Sequence, residues 1–203
     1  MYLPYIDQYL AEAKKIIDQL DRATIERMIE LLKQVRDERG RLFILGVGGG
    51  AGHASHAVND FRKIAGMEAY TPMDNISEFS ARVNDDGWEN VMANWLKGSF
   101  LGQKDAVLVF SVGGGNAEKK ISVNIVEGVR YAKEMGAKVL GIVGRDGGYT
   151  KQVADACVVV PTVNPETVTP HTESFQAVVW HLIVSHPLFA KQEGKWESVE
   201  KTK

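Results

Sequence analysis

The stretch LFILGVGGGAGHASHAVNDF, residues 42–61, runs from an apolar segment through a glycine turn to His53, His56 and Asp60. Imidazole and carboxylate groups hold divalent metals or relay protons. His56 and Asp60 are four residues apart, so a helix places both on one face, one turn apart. Ahead of them, Gly48, Gly49 and Gly50 leave the backbone bare. Backbone N–H groups at a helix start suit a phosphate or another anion. A second glycine loop, SVGGGNAE at 111–118, follows the apolar run AVLVFS. Both loops also read as tight strand–helix turns without a ligand, and His56 with Asp60 as a plain surface pair.

These groups need elements to hold them. Ile6, Tyr9, Leu10, Ala13, Ile16, Ile17 and Leu20 recur at helical spacing, and a second helix follows an Asp21 cap with Ile25, Met28, Ile29, Leu32 and Val35 as its stripe. One sheet does not readily bury both stripes, so the surplus apolar face suggests an oligomer interface. An alternation then begins. Strands are expected at 41–45, 106–111, 138–143 and 157–160, with helices at 50–65, 116–135, 149–154 and 172–185. The segment 68–102 reads as a short strand near 68–70, a loop, a short helix, a polar turn and a further helix. AVLVFS, KVLGIV and CVVVP are apolar on both faces, as parallel strands covered on both sides are. The pattern predicts an α/β fold, a doubly wound parallel-sheet sandwich with an N-terminal helical pair. In such a sheet ligands bind at the carboxyl ends of the strands, where both glycine loops fall.

Composition narrows the function further. The 203 residues carry a formal net charge of −2 with no basic block, which argues against nucleic acid as the main partner. No apolar run approaches the ~20 residues that span a bilayer, and the N-terminus lacks a secretory pattern. The lone cysteine, Cys157, lies in an apolar run and suits a reducing compartment, so a cytoplasmic protein is expected. The loop GVGGGA does not fit the dinucleotide register, and neither loop is followed by the Gly-Lys-Ser/Thr of a nucleotide-phosphate loop.

Several segments carry a resemblance. The first loop is similar to G-N-G-G-S-A and the later strand ends in a pattern like S-x-x-G-x-[NS]. With the N-terminal helix pair, VNDDGWEN, GRDGGYTKQVADACVVVP and a closing helix carrying His181, the chain up to about Leu188 resembles the sugar isomerase (SIS) domain. Within it, the order of motifs resembles the phosphoheptose isomerases of bacterial surface-heptose synthesis.

The resemblance implies a flavodoxin-like SIS sandwich over residues 1–203. Residues 1–40 would serve oligomerisation, 41–188 would form the core and 189–203 a charged tail. It implies a homotetramer and a sugar-phosphate substrate. The reaction would move a proton between C1 and C2 of an open-chain sugar through an enediol, converting sedoheptulose 7-phosphate to D-glycero-D-manno-heptose 7-phosphate. The positions that match the family's site are His56, Asp60, Glu173 and His181. They would hold zinc or another divalent metal, with Asp60 and His181 exchanging protons. Gly48, Gly49, Gly50, Asn84, Asp85, Ser111, Gly113, Gly114, Asn116 and Glu173 would contact substrate. Glu173 and His181 are eight residues apart, about 12 Å of helix. Either Glu173 precedes the regular helix near Pro170, or a neighbouring subunit completes the site, which is expected near an interface. Asn84 and Asp85 also read as a helix start, with Asp85 or Asp86 as N-cap and Trp88 in the core. His53 reads as a helix-face or loop residue, His186 as a helix end, and His171 lies near a helix start.

The chain also departs from the pattern. Val47 stands for Asn, Gly50 for Ser, SVGGGN for S-T-S-G-N-S, Asp60 for Glu and Glu173 for Gln. Each lost hydroxyl contact to a charged oxygen weakens binding by about 1.5–3 kcal/mol. The departures leave room for an isomerase of a different sugar, or for a non-catalytic SIS domain that binds a sugar phosphate or acts as a scaffold.

Overall fold

Every residue of the strand Leu42–Gly46 (β1) is buried, and its side chains enter two different cores. Leu42 and Ile44 face one, Phe43 and Leu45 the other. The computed structural model describes residues 3–189. Ala69–Tyr70 (β2), Ala106–Ser111 (β3), Lys138–Val143 (β4) and Ala156–Val159 (β5) join β1 in one parallel sheet, ordered β2-β1-β3-β4-β5. Leu42 pairs with Ala106 and Gly46 with Phe110, so β1 and β3 end level with one another. Strand order reverses between them, and this is where a doubly wound sheet opens a ligand crevice.

Helices cover both faces. Arg22–Asp37 (α2), Gly49–Lys63 (α3) and Val168–Ser185 (α8) pack on Ile44, Leu108 and Ile142. Val91–Gly98 (α5) and Val123–Glu134 (α6) pack on Leu45, Val109 and Val139. The apolar-both-sides pattern of the strands thus has its expected cause. Asp21 caps α2, accepting from the Thr24 N–H at 3.2 Å. The first helix, Leu3–Gln19 (α1), buries Ile16 yet leaves Leu3, Ile6, Leu10 and Ile17 at least half exposed, so the surplus apolar face is present.

The closing helix, expected from 172, begins at Val168, and two further boundaries differ from the sequence reading. The helix expected from 116 begins at Val123. Asn116 and Ile121 close a tight excursion by an antiparallel bridge, and Asn116 Oδ1 accepts from the Lys119 N–H at 2.8 Å. An asparagine that bonds local backbone competes with helix. The second glycine loop therefore runs into this excursion and not directly into a helix. The expected helix start at Asn84–Asp86 is instead the last turn of Ile76–Asp86 (α4), capped ten residues earlier by Asn75. Gly87, at φ 82°, ends α4, and Trp88 is exposed, not in the core. Residues 190–203, most of the expected charged tail, lie outside the described residues. Cys157 is half-buried on β5, and burial pushes its thiol up to about 12.

His171 lies in the first turn of α8, buried and stacked on Tyr9 of α1 with ring centroids 4.2 Å apart. It donates to the buried Glu12 carboxylate at 2.9 Å. Gln8, Asn164 and Thr167 donate to the same carboxylate. These hydrogen bonds, Gln8 and Asn164 first, hold Glu12 down to about 2 from an ordinary 4.5. A depressed carboxylate stabilises the fold fully above 4.5, and that contribution is lost as pH falls toward 2. Urea unfolding of Glu12→Gln is expected to show a flatter loss of stability across this acid range than the parent protein. Identical pH slopes would mean that the network does not tie α1 to α8.

Candidate metal and substrate site

Helix α3 buries Ala54, Ala57, Val58 and Phe61, and Asp60 falls on that same inner face, 6% exposed. A buried carboxylate needs donors. Asp60 Oδ2 accepts from Trp180 Nε1 on α8 at 3.1 Å, and Oδ1 accepts from Asn59 Nδ2 at 3.1 Å. His181 Nε2 lies 3.3 Å from Oδ2, and His56 Nε2 lies 3.6 Å from it. All three ligand atoms fall within 4.8 Å of one another.

The arrangement fits a cation. His181 Nδ1 donates to the Ala177 carbonyl at 2.7 Å, so its Nε2 points at Asp60. A carboxylate oxygen facing an imidazole nitrogen at 3.3 Å needs a proton or a metal ion between the two acceptors. Four-coordinate zinc with ~2.0–2.1 Å bonds places its ligand atoms about 3.3 Å apart, and three protein ligands leave one position for substrate. The carbonyl on the other ring nitrogen is the usual way a ligating histidine is oriented. His56 and His181 side chains are 56% and 45% exposed, so the group opens outward on one side.

Glu173 does not join them within the protomer. It lies inside α8, which runs from Val168, so it does not precede the regular helix. Its carboxylate rests on Gly49, where an added Cβ would come within 2.5 Å of the Glu173 carboxyl carbon. There it faces the N-terminus of α3, which favours negative charge.

His53 is less loose than its sequence position suggests. Its Nδ1 donates to Gln176 Oε1 at 3.0 Å, and Gln176 Nε2 donates to the Ile142 carbonyl at 3.1 Å. The readable signal for Gln176 was a glutamine amid the apolar residues of the closing helix.

The glycine loops divide by role. An added Cβ at Gly50 would come 2.5 Å from the Phe110 carbonyl, so close packing of α3 on β3 excludes a serine there. Gly48, at φ 59°, supplies the left-handed turn. In the second loop, Gly114 takes φ 68° and packs against Gly147. A cavity of about 600 Å³ lies beside it, lined by Ser111, Gly113, Asn116, Lys119 and Arg145, with Val47 and Thr169. Gly48, Gly49 and Gly50 are not on that wall, and Asn84 and Asp85 are exposed at the end of α4, bonded to each other at 2.7 Å. No local sequence pattern marks Lys119 and Arg145, because their proximity depends on the excursion at 116–121 and on the β4–α7 turn (α7 is Gly148–Val153).

Residues 5–144 match the model of the SIS domain. The chain belongs to the SIS domain family. The phosphoheptose isomerase of Helicobacter pylori strain P12 is 27% identical to it over 175 residues, 84% of this chain and 85% of that protein. The lincomycin biosynthesis protein LmbN of Streptomyces lincolnensis is 34% identical over 154 residues, 72% of this chain and 56% of that protein. The structure of phosphoheptose isomerase from Neisseria gonorrhoeae shares the fold, with a TM-score of 0.77 at 21% identity, covering 91% of this chain and 98% of that one. In this SIS protein the sheet is doubly wound as expected. No helix among the described residues is long and apolar enough to cross a membrane.

Proposed function

We propose that this SIS protein is an aldose–ketose isomerase acting on a sugar phosphate. The first candidate reaction takes sedoheptulose 7-phosphate to D-glycero-D-manno-heptose 7-phosphate. The observation that carries the proposal is the grouping of His56, Asp60 and His181, whose ligand atoms lie within 4.8 Å of one another, with both Nε2 atoms 3.3–3.6 Å from Asp60 Oδ2. Zinc or a similar divalent ion bound there supplies a Lewis acid for the sugar's carbonyl oxygen. His56, Asp60 and His181 would hold it. Proton transfer is assigned to Asp60 and His181, and because His181 Nδ1 donates to the Ala177 carbonyl, His181 would exchange its proton through Nε2 only when that nitrogen is not holding the ion. A proton leaves C1 and one returns to C2, while the hydroxyl proton passes from O1 to O2 through the enediol. Asp60 keeps Oδ1, which bonds Asn59, outside the convergence. Glu173, beside Gly49, is assigned to substrate.

The phosphate is assigned to the cavity beside the second glycine loop. Lys119 and Arg145 bring positive charge to a lining that also carries Ser111, Ser122, Thr169 and the Asp146 carboxylate. Lys119→Gln and Arg145→Gln are each expected to raise KM about 10- to 100-fold with little change in kcat, the equivalent of ~1.5–3 kcal/mol per charged contact. Steady-state kinetics check this, and an unchanged KM in both variants would move the phosphate elsewhere.

A homotetramer with sites near its interfaces suits the exposed stripe of α1 and the exposure of Val178 and Leu182 around His181. Residues 1–203 form one SIS domain on this reading, working in the cytoplasm in surface-heptose (lipopolysaccharide) synthesis. Proton NMR of sedoheptulose 7-phosphate with protein and zinc in D₂O tests the activity. Aldoheptose carrying deuterium at C2 supports it. An unchanged sugar that still binds would support the non-catalytic binding or scaffold role, and one that does not bind would point to a different sugar.

A further inference from the structure

We propose that Trp180 is a positioning residue for metal capture, its indole N–H fixing Asp60 Oδ2 in line with His56 and His181. The inference rests on the metal reading of the triad. Trp180 is 1% exposed and lies next to His181 on α8, so one helix delivers both the imidazole and the indole. Its ring lies 4.8 Å from His181, 5.5 Å from His56 and 5.1 Å from His53, centroid to centroid. The three imidazoles are therefore packed around one indole. The N–H donates to Asp60 Oδ2 at 3.1 Å.

The chemistry of the donors separates this contact from the others at Asp60. When His56 and His181 turn lone pairs to an ion, they cease to donate to the carboxylate. Indole N–H is a donor only and keeps its proton in every state of the site. One lone pair of Oδ2 can bond Trp180 while another faces the ion. Asn59 holds the opposite oxygen from the exposed side of α3. Trp180 is thus the buried donor that keeps Oδ2 pre-aimed whether or not a metal is bound. Partners of this kind typically alter metal affinity 10- to 100-fold when removed.

Zinc alone, titrated in competition with a chromophoric chelator, is the probe. Trp180→Phe is expected to bind zinc ~10- to 100-fold more weakly than the parent protein. In an Asp60→Ala background the same substitution is expected to add no further loss, because the hydrogen bond it removes is already gone. If the phenylalanine variant does not fold, Trp180→Met gives the same comparison. Parent-like zinc affinity in a folded Trp180 variant, or an equal loss in the Asp60→Ala background, would overturn the proposal and reduce Trp180 to core packing. A parent protein that takes up no zinc would instead overturn the metal reading itself.

Discussion

On the proposed isomerase reading, Asp60→Ala is expected to lower turnover of the sugar phosphate by about 10³-fold or more, as removal of a proton-transfer group typically costs 10²–10⁴-fold. Two losses combine here. The variant has no carboxylate to exchange a proton with C1 or C2, and the three-atom convergence falls to two imidazoles. Zinc affinity should fall with the rate. The fold should survive, since the exposed cost is an indole N–H of Trp180 left without its acceptor, about 1–3 kcal/mol. Asp60→Asn separates the contributions. It retains an oxygen for Trp180 but loses the charge, so it should melt near the parent protein and still fail in catalysis. The measurement is deuterium entry at C2 by NMR, run beside a zinc titration. A parent-like rate in Asp60→Ala would remove Asp60 from the chemistry.

Gly114→Ala is expected to be strongly damaging to the loop beside the cavity. The residue sits at φ 68°, where a side chain costs roughly 1–2 kcal/mol. An added Cβ would also come 1.9 Å from the Gly147 carbonyl oxygen, a collision with backbone that no side-chain rotation relieves. Overpacking of this kind adds about 1–3 kcal/mol. Gly114 also accepts from the Thr150 N–H and hydroxyl, at 2.9 and 2.8 Å, so its displacement loosens the turn that carries Arg145. Thermal unfolding should show a midpoint ~5–15 °C lower, at ~2–4 °C per kcal/mol for a chain of this size. Inorganic phosphate binding should weaken in parallel. An unchanged midpoint would show that the Gly147–Gly148 turn yields without cost.

Local features were legible because the physics that sets them is local. The strand KVLGIV is found at Lys138–Val143 as expected, and Asp21 caps α2. Both depend on alternation or on a side chain reaching three residues along the chain. The pairing of His56 with Asp60 follows from helical spacing alone. The motif resemblance added His181 to them. It also brought Glu173 to the same set, and there the protomer differs, because two turns of straight helix separate Glu173 from His181.

The sequence by itself determined the parallel α/β sandwich, the face of α3 that carries His56 and Asp60, and the surplus apolar stripe of α1. Only the tertiary structure decided that Trp180 donates to Asp60, that Gln176 holds His53, that Glu12 gathers four donors, and that Lys119 and Arg145 share a cavity. Each of these joins elements far apart in the chain. Their geometry depends on how α8 lies on α3 and α1, and on how the turn after β4 meets the loop after β3. Periodicity marks which face of an element is buried, whereas the partner that face meets is set by packing between elements.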